Sequence, residues 1–313
     1  MKAFITGITG MIGSHFARAC RAKGWNTVGI ARNSASSRLA AVRDPSIIGC
    51  DILGYRELED LFSRVKPDVV IHMAAQAFNG ASWEAEEITH LTNYQGTVNV
   101  LHCCRKIVPA ARVLLACSSA EYGNIGPEEC PLKEERFLQP FSPYGVSKVA
   151  VECLGFQYHA NYGMPVYLPR LFIHVGTGHP PATAIQNFAR QLALIAKGQA
   201  EPVLKVGVLS TARDFIDVRD GVDGMMMLLE SGHPGHPINI CTGTAFKIAE
   251  ILEMLIEISG LRVRVESDPA LMRPSDEPLL LGDNSKLRAL GWEQKYTMRQ
   301  TLTAVYEDWL GRI

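Results

Sequence analysis

Tyr144 and Lys148 stand four residues apart in the run Tyr-Gly-Val-Ser-Lys, so on a helix a phenol and an ammonium share one face. A phenol titrates near about 10 and is a poor proton acceptor at neutral pH, but a neighbouring ammonium favours the phenolate by opposite charge. Many helix surfaces carry such a pair by chance, the Tyr packing and the Lys solvated. Two other stretches lift this one above that reading. Thr6-Gly7-Ile8-Thr9-Gly10-Met11-Ile12-Gly13 lies near the start of the chain, and Ser118-Ser119 lies upstream of the pair. Read alone, the two serines are a polar cap where a strand meets a loop. Together the three stretches suggest that Tyr144 exchanges a proton beside a nicotinamide while Ser118 hydrogen-bonds the reacting oxygen.

The glycine-rich stretch follows a short apolar run, Ala3-Phe4-Ile5, and opens an amphipathic helix. Glycines there let the backbone turn sharply and approach a pyrophosphate seated on the helix N-terminus. The spacing is GxxGxxG rather than GxGxxG. After the second strand an NAD site presents an acid to the ribose hydroxyls, whereas a cation accommodates a 2′-phosphate. This chain has Arg32-Asn33, with Arg38 beyond and no carboxylate between Val28 and Val42. The expected cofactor is therefore NADP(H). Asp51-Ile52 is expected to frame the adenine, and Ala74-Ala75 to let the cofactor approach the fourth strand closely.

The elements that position these residues follow from apolar patterning. Continuous apolar strands (Thr27–Ile30, Val69–Ile71, Val113–Ala116, Val166–Leu168) alternate with helices over 11–23, 58–65, 88–106 and 143–162. Such a pattern implies a parallel sheet covered on both faces, with right-handed crossovers: an α/β, doubly wound fold. Ser142-Pro143 is a strong helix start, an N-cap hydroxyl followed by Pro at the first helical position. Beyond residue 172 a loop precedes a helix over 185–197, residues 217–230 read as a return to the first domain's periphery, and helices follow over 248–259 and 298–310. The expected division is a cofactor domain of residues 1–171, rejoined by 213–240, with a smaller C-terminal substrate lobe from 172–212 and 241–313. The 313 residues, 47% hydrophobic and 20% charged with net charge −1, describe a globular protein without basic runs. That balance argues against nucleic acid or an anionic membrane as main partner, and no apolar run reaches membrane-spanning length. The eight cysteines lack metal-ligand spacing and lie partly in apolar runs, as expected of reduced core thiols in the cytoplasm.

The ordered set of glycines, Ser118 and Tyr144-x-x-x-Lys148 resembles the extended short-chain dehydrogenase/reductase family, which has a Rossmann-like fold and acts on nucleotide-diphosphate sugars. Further matches are His72-Met-Ala-Ala75, Asn93-x-x-Gly96-Thr97, Ser142-Pro-Tyr-Gly145, Arg213-Asp-Phe-x-Asp217-Val218 and Arg273-Pro-Ser-Asp276. Within the family the chain most resembles reductases of GDP-4-keto-6-deoxyhexoses. The resemblance implies a catalytic set of Ser118, Tyr144 and Lys148. It implies cofactor contacts from Gly7, Thr9, Gly10, Met11, Ile12, Gly13, Arg32, Asn33, Asp51, Ile52, Ala74, Ala75, Tyr144, Lys148 and Leu171. Arg213 and Arg273 would bind a diphosphate, which guanidinium forks match; Ser119, Glu121, Asn187, Arg190, Lys205 and Asp276 complete the expected substrate contacts. A homodimer through helices 88–106 and 143–162 is likewise implied.

Two departures bear on the reaction. Dehydratases of the family carry a Glu just after the catalytic Ser or Thr to take a proton; aligned on Tyr122-Gly123, that position is Ala120. The family's "RxFNxxGPG" loop here runs Arg170-Leu-Phe-Ile-His-Val-Gly-Thr-Gly178, with Ile173 for Asn and Thr177 for Pro. The expected reaction is NADPH-dependent reduction of a C4 keto group. A nucleotide-sugar 4-epimerase recycling a tightly bound nicotinamide is the competing reading. A non-catalytic cofactor-binding regulator would have no need of Ser118, Tyr144 and Lys148 together.

Overall fold

A computed structural model describes residues 1–32, 46–272 and 278–313. Strands β1 (Lys2–Thr6), β2 (Asn26–Ala31), β3 (Ile47–Gly49), β4 (Val69–His72), β5 (Arg112–Leu115), β6 (Cys117–Ser118) and β7 (Val166–Leu171) belong to one parallel sheet. Its order is β3-β2-β1-β4-β5-β7, with Pro237–Ile240 beyond β7 and β6 continuing beside β7. The reversal of order at β1 and β4 opens a crevice at their carboxyl ends, where such folds hold ligands.

Successive residues of each strand face opposite sides, so both sides of this sheet need a cover. Ala3, Ile5, Val69 and Ile71 pack against Phe16 and Cys20 of helix α1 (Met11–Ala22). On the other side Phe4, Val70, Val113 and Leu115 meet Leu58 and Phe62 of α2 (Tyr55–Val65), with Val100 and Leu101 from the helix Gly96–Ile107. The helix expected over 88–106 is broken in register. After a separate short helix, α3 (Asn79–Ser82), it comprises α4 (Glu86–His90), a π-helical turn Leu91–Gln95, then α5 (Gly96–Ile107). Helix α6 (Pro143–Tyr162) starts on the Ser142 hydroxyl, which accepts the Gly145 N–H at 3.1 Å.

The second half contains β8 (Ile173–Val175), α7 (Ala184–Ala196), β9 (Val203–Val206), β10 (Ala212–Asp217) and α8 (Val218–Ser231). It continues with β11 (Pro237–Ile240), β12 (Ala245–Lys247), α9 (Ile248–Ser259), β13 (Arg264–Ser267), β14 (Leu279–Leu280), α10 (Ser285–Ala289) and α11 (Met298–Arg312). Phe188, Leu192, Ile251, Leu255, Leu302 and Trp309 from α7, α9 and α11 share a separate core. Residues 213–217, the start of the stretch expected to rejoin the cofactor domain, belong to β10, which pairs with β8, β12 and β14 and not with the large sheet. The return starts at Val218, where α8 packs Met225 and Leu228 against α1's core. Leu287 and Trp292 also enter that core, so the stretch around α10 sits with the large sheet rather than with the lobe. No helix of the described residues is long and apolar enough to cross a membrane.

His72, at the end of β4, ties the sheet to its helical cover. Its Nδ1 lies 2.7 Å from Thr6 Oγ1 and its Nε2 3.0 Å from Thr97 Oγ1. Thr97 donates its hydroxyl hydrogen to Asn93 O, so it accepts from His72 Nε2–H; Thr6 accepts the Ala74 N–H and donates to Nδ1. One neutral tautomer of His72 satisfies every atom of this Thr6–His72–Thr97 relay. Burial, and then the Lys148 charge, lower the His72 pKa from 6.5 to about 3. The unfolded chain takes up a proton near 6.5 that the folded chain refuses until about 3, so this residue's contribution to stability falls as pH drops below 6.5. Between about pH 6 and pH 5 the unfolding free energy of His72→Gln should drop by about 1 kcal/mol less than that of the native chain. Denaturant melts at the two pH values measure this, and equal slopes would refute a neutral His72.

Candidate active site

A cavity of about 640 Å³ occupies the crevice at the carboxyl ends of β1, β2 and β4. Gly7, Thr9, Gly10, Met11, Ile12 and Gly13 line one end, Arg32 and Ile52 a second, and Ala74 and Ala75 the wall between; Tyr144, Lys148 and Leu171 close the far end. Gly7 holds φ +67°, and a Cβ there would lie 2.8 Å from Ala74 N. A Cβ on Gly13 would lie 2.2 Å from Gly7 O. Only bare backbone fits this turn. Helix α1 starts at Gly10 without a side-chain cap, and first-turn N–H groups have no intrahelical acceptor. The turn thus matches the pyrophosphate of a dinucleotide. Arg32 puts an exposed guanidinium at the end of β2, suited to a 2′-phosphate. Asn33 lies outside the described residues. Asp51 does not line the cavity: its Oδ1 accepts the Leu53 N–H at 3.0 Å and caps a solvent-exposed turn. Cys50 and Ile52 flank the cavity in its place.

At the far end Lys148 is 5% exposed, and its Nζ donates to Ala116 O at 2.7 Å, 5.7 Å from the Tyr144 ring centre. One of the three ammonium donors is used in that bond, which points the charge along the cavity floor. Ser118 caps the short turn Ser119–Glu121: its Oγ accepts the Ala120 N–H at 3.2 Å. With a lone pair taken, the hydroxyl keeps its hydrogen for donation. A Cβ on Gly145 would come within 2.6 Å of Ala120 O, so glycine beside Tyr144 is what lets the Ser118 turn dock on α6. The Tyr144 turn is braced from a second side. Ser147 Oγ donates to Tyr144 O at 2.7 Å and accepts from Asn93 Nδ2 at 2.8 Å, while Asn93 also binds both backbone groups of Gln76. The π-helical turn that places Asn93 is the kind of irregularity that recurs at functional sites.

A second cavity, about 270 Å³, lies in the lobe between β8, α7 and β10. Asn187 and Arg213 line it, together with Thr211, Gly207, Phe215 and Leu271. The Arg213 side chain is buried, with Nη1 donating to Ala212 O. His179 lines both cavities, its ring edge-on to Phe78 at 5.8 Å, so a two-part ligand could span them along this wall. Arg190 and Lys205 are exposed and line neither cavity. Lys205 points away because Leu204 and Val206 of β9 face the core. Ser119 is buried outside both linings, and Glu121 is wholly buried with its carboxyl on the Ser118 N–H. Burial thus removes Glu121 from direct substrate contact. Arg273 and Asp276 lie outside the described residues.

Gln76, Phe78, His179 and Pro180 line the larger cavity without being expected cofactor contacts. Gln76 and Phe78 follow the Ala74-Ala75 strand end, which was the available signal. His179 carried none, since its loop differs from the familiar glycine-proline pattern.

Residues 4–305 match the family model described as GDP-mannose 4,6 dehydratase. The chain is 30% identical over 318 residues to the GDP-6-deoxy-D-mannose reductase of Pseudomonas aeruginosa, spanning 100% of this chain and 98% of the relative. To the GDP-mannose 4,6-dehydratase of Vibrio cholerae it is 29% identical over 342 residues, spanning 96% and 91%. Among solved structures, RMD from Pseudomonas aeruginosa complexed with NADPH superposes with a TM-score of 0.88 at 30% identity over 100% of both chains. The UDP-glucose 4-epimerase of Thermus thermophilus complexed with NAD gives 0.89 at 25% identity, also over 100% of both. Ser118, 7% exposed, lies outside both linings, next to Cys117, which borders the larger cavity. With the glycine turn and the Tyr144 helix lining one crevice and the Ser118 turn docked on that helix, the chain belongs to the GDP-mannose 4,6-dehydratase family of extended short-chain dehydrogenases/reductases.

Proposed function

We propose that the chain reduces the C4 keto group of a GDP-4-keto-6-deoxyhexose with NADPH, giving GDP-6-deoxy-D-mannose. The observation that carries this choice within the family is Ala120. It sits in the turn capped by Ser118, docked on the Tyr144 helix, at the position where the family's dehydratases carry a proton-abstracting Glu. A methyl group cannot take a proton, so elimination of water lacks its base, and carbonyl reduction remains. Full-length similarity to a GDP-6-deoxy-D-mannose reductase supports the same reading.

Bound NADPH would supply the hydride. The chain's own residues do the rest. The Tyr144 phenol gives its proton to the carbonyl oxygen, Ser118 holds that oxygen through its hydroxyl hydrogen, and the Lys148 ammonium stabilises the phenolate left behind. Gly7 to Gly13 and Arg32 hold the dinucleotide; Arg213, with Asn187, faces the diphosphate and base of the sugar nucleotide. On this reading residues 1–171 carry the cofactor and the lobe built on α7, α9 and α11 carries the substrate. The eight cysteines are unpaired, which suits a reducing cytoplasm. We also propose a homodimer. Ile88, Leu91, Tyr94, Val146, Phe156 and Tyr162 expose 44–55% of their surface along α4, the π turn and α6, a concentration of apolar side chains that a second copy would cover.

Mixing the chain with GDP-4-keto-6-deoxymannose should consume NADPH mole for mole; isomerised product with no net loss of NADPH would replace the reductase by an epimerase. Tyr144→Phe should lower kcat by at least about 100-fold with NADPH affinity retained, and retained turnover would remove Tyr144 from the chemistry. Arg32→Ala should raise KM for NADPH by about tenfold, the loss of one charge-assisted contact, and leave KM for NADH unchanged. Phe156→Glu should shift the sedimenting species from dimer to monomer, and a native chain that is already monomeric would end the dimer proposal.

A further inference from the structure

Directly behind Ser118 lies a buried ionic cluster that the proposed reduction does not touch. Glu121, 0% exposed, places Oε1 2.7 Å from the Ser118 N–H and accepts from it. Its Oε2 is equally buried and, as a carboxylate oxygen, meets no hydrogen-bond donor; Arg170 Nε stands 3.6 Å away. That guanidinium is committed elsewhere. Nε and Nη2 fork onto Glu152 at 2.8 and 2.7 Å, Nη1 donates to Glu134 O at 2.9 Å, and the plane lies over the Tyr122 ring. Oxygen atoms of Glu121 and Glu152 and the Cys117 sulfur lie within 4.8 Å of one another. Two carboxyl groups therefore share one cation in a dry pocket, with side chains 0% and 12% exposed.

A second buried anion with no cation of its own is costly enough for protonation to remove the charge instead. A proton on Glu121 Oε2 resolves the geometry, because the orphan oxygen becomes a donor with Glu152 as its acceptor. We infer that Glu121 carries a proton at neutral pH, donated in a hydrogen bond to the ionised Glu152, and acts as a neutral positioning residue for Ser118. The groups that face it are Cys117 from β6, Glu152 from α6, Arg170 from β7, and Ser118 itself; Lys148 adds its charge beside Cys117. Burial first, then the Glu152 charge, push the Glu121 carboxyl well above the usual range, and burial likewise keeps Cys117 a thiol.

The consequence falls on the reacting oxygen. Ser118 is gripped at both ends, its N–H by Glu121 and its Oγ by Ala120 N–H, which fixes the direction of the hydroxyl hydrogen. An ionised Glu121 would set a negative charge behind the point where negative charge develops on a carbonyl oxygen; the protonated group provides the same grip without that penalty. This role for Ser118 rests on the reduction proposed above, whereas the proton on Glu121 does not.

Glu121→Gln copies the protonated acid, with an acceptor for Ser118 N–H and a donor for Glu152. It should keep kcat within about threefold of the native enzyme, whereas Glu121→Leu, which frees the Ser118 turn, should lose up to about 100-fold in kcat with NADPH binding preserved. Infrared spectra of the native chain at neutral pH should show the carbonyl stretch of a protonated carboxylic acid that Glu121→Gln lacks. The absence of that band, or a Gln variant as impaired as the Leu variant, would overturn the inference. The infrared measurement needs no substrate, so it decides the proton even if the reductase assay fails.

Discussion

Polar groups at the carboxyl edge of a parallel sheet must be paired without water, and this constraint organises the whole crevice. Strand ends that hold a ligand are also where backbone donors and acceptors run out of sheet partners. Here the Thr6–His72–Thr97 relay closes the deficit between β1, β4 and α5 with one neutral imidazole. Asn93 continues it on the next turn, spanning Gln76 on the cavity wall and Ser147 below Tyr144. A single run of hydrogen bonds therefore fixes this cavity wall relative to the Tyr144 turn. Partly satisfied, such a network would be worse than an apolar core; fully satisfied, it holds one geometry.

The lobe obeys a different constraint, because its cavity is bounded by a strand that serves two cores. Phe215 of β10 faces the α7–α9–α11 core, while its neighbour Ile216 faces the core between the large sheet and α8. Asp214, on the same strand, accepts from Thr242 N and Oγ1, Gly243 N and Gly282 N, fastening the loops that follow β11 and β14. Arg213 is thereby delivered to the cavity by a strand that can shift only if both cores and that carboxylate move with it. Burial raises the Asp214 pKa even though those four donors oppose it, which is a sign of how dry the junction is.

The large sheet was legible because its strands are continuous apolar runs with helices between them, and Ser142-Pro143 marked the start of α6 to the residue. β10 was not. A strand buried on both faces shows no alternation, so Arg-Asp-Phe-Ile-Asp could not reveal which sheet it joins. Two- and three-residue strands such as β14 and β12 are too short for any period, and Leu287 and Trp292 enter a core contributed by residues far away in sequence. Within the site, the glycine turn was readable because its requirement is local: a positive φ at Gly7 and a backbone approach at Gly13. Lys205 shows the reverse case. Alternation in Val203-Leu204-Lys205-Val206 already places the lysine on the opposite side from the core, and that pattern outweighs a motif likeness.

Position within the Ser118 turn is a finer discriminator than motif membership. Three residues per turn separate neighbouring side chains by about a third of a revolution, so Ala120 and Glu121 cannot share an environment. Ala120 lies part-exposed, its carbonyl against the start of α6, whereas Glu121 is driven inward beneath Ser118. A carboxyl group at the first position would stand at the start of the Tyr144 helix; at the second it accepts the Ser118 N–H from beneath. Composition and motif counting see an acid next to Ser118 in either case. On the proposed reading, the difference between eliminating water and reducing a carbonyl rests on one residue of register in a turn of three, and on the buried Arg170–Glu152 pair beside the inward acid.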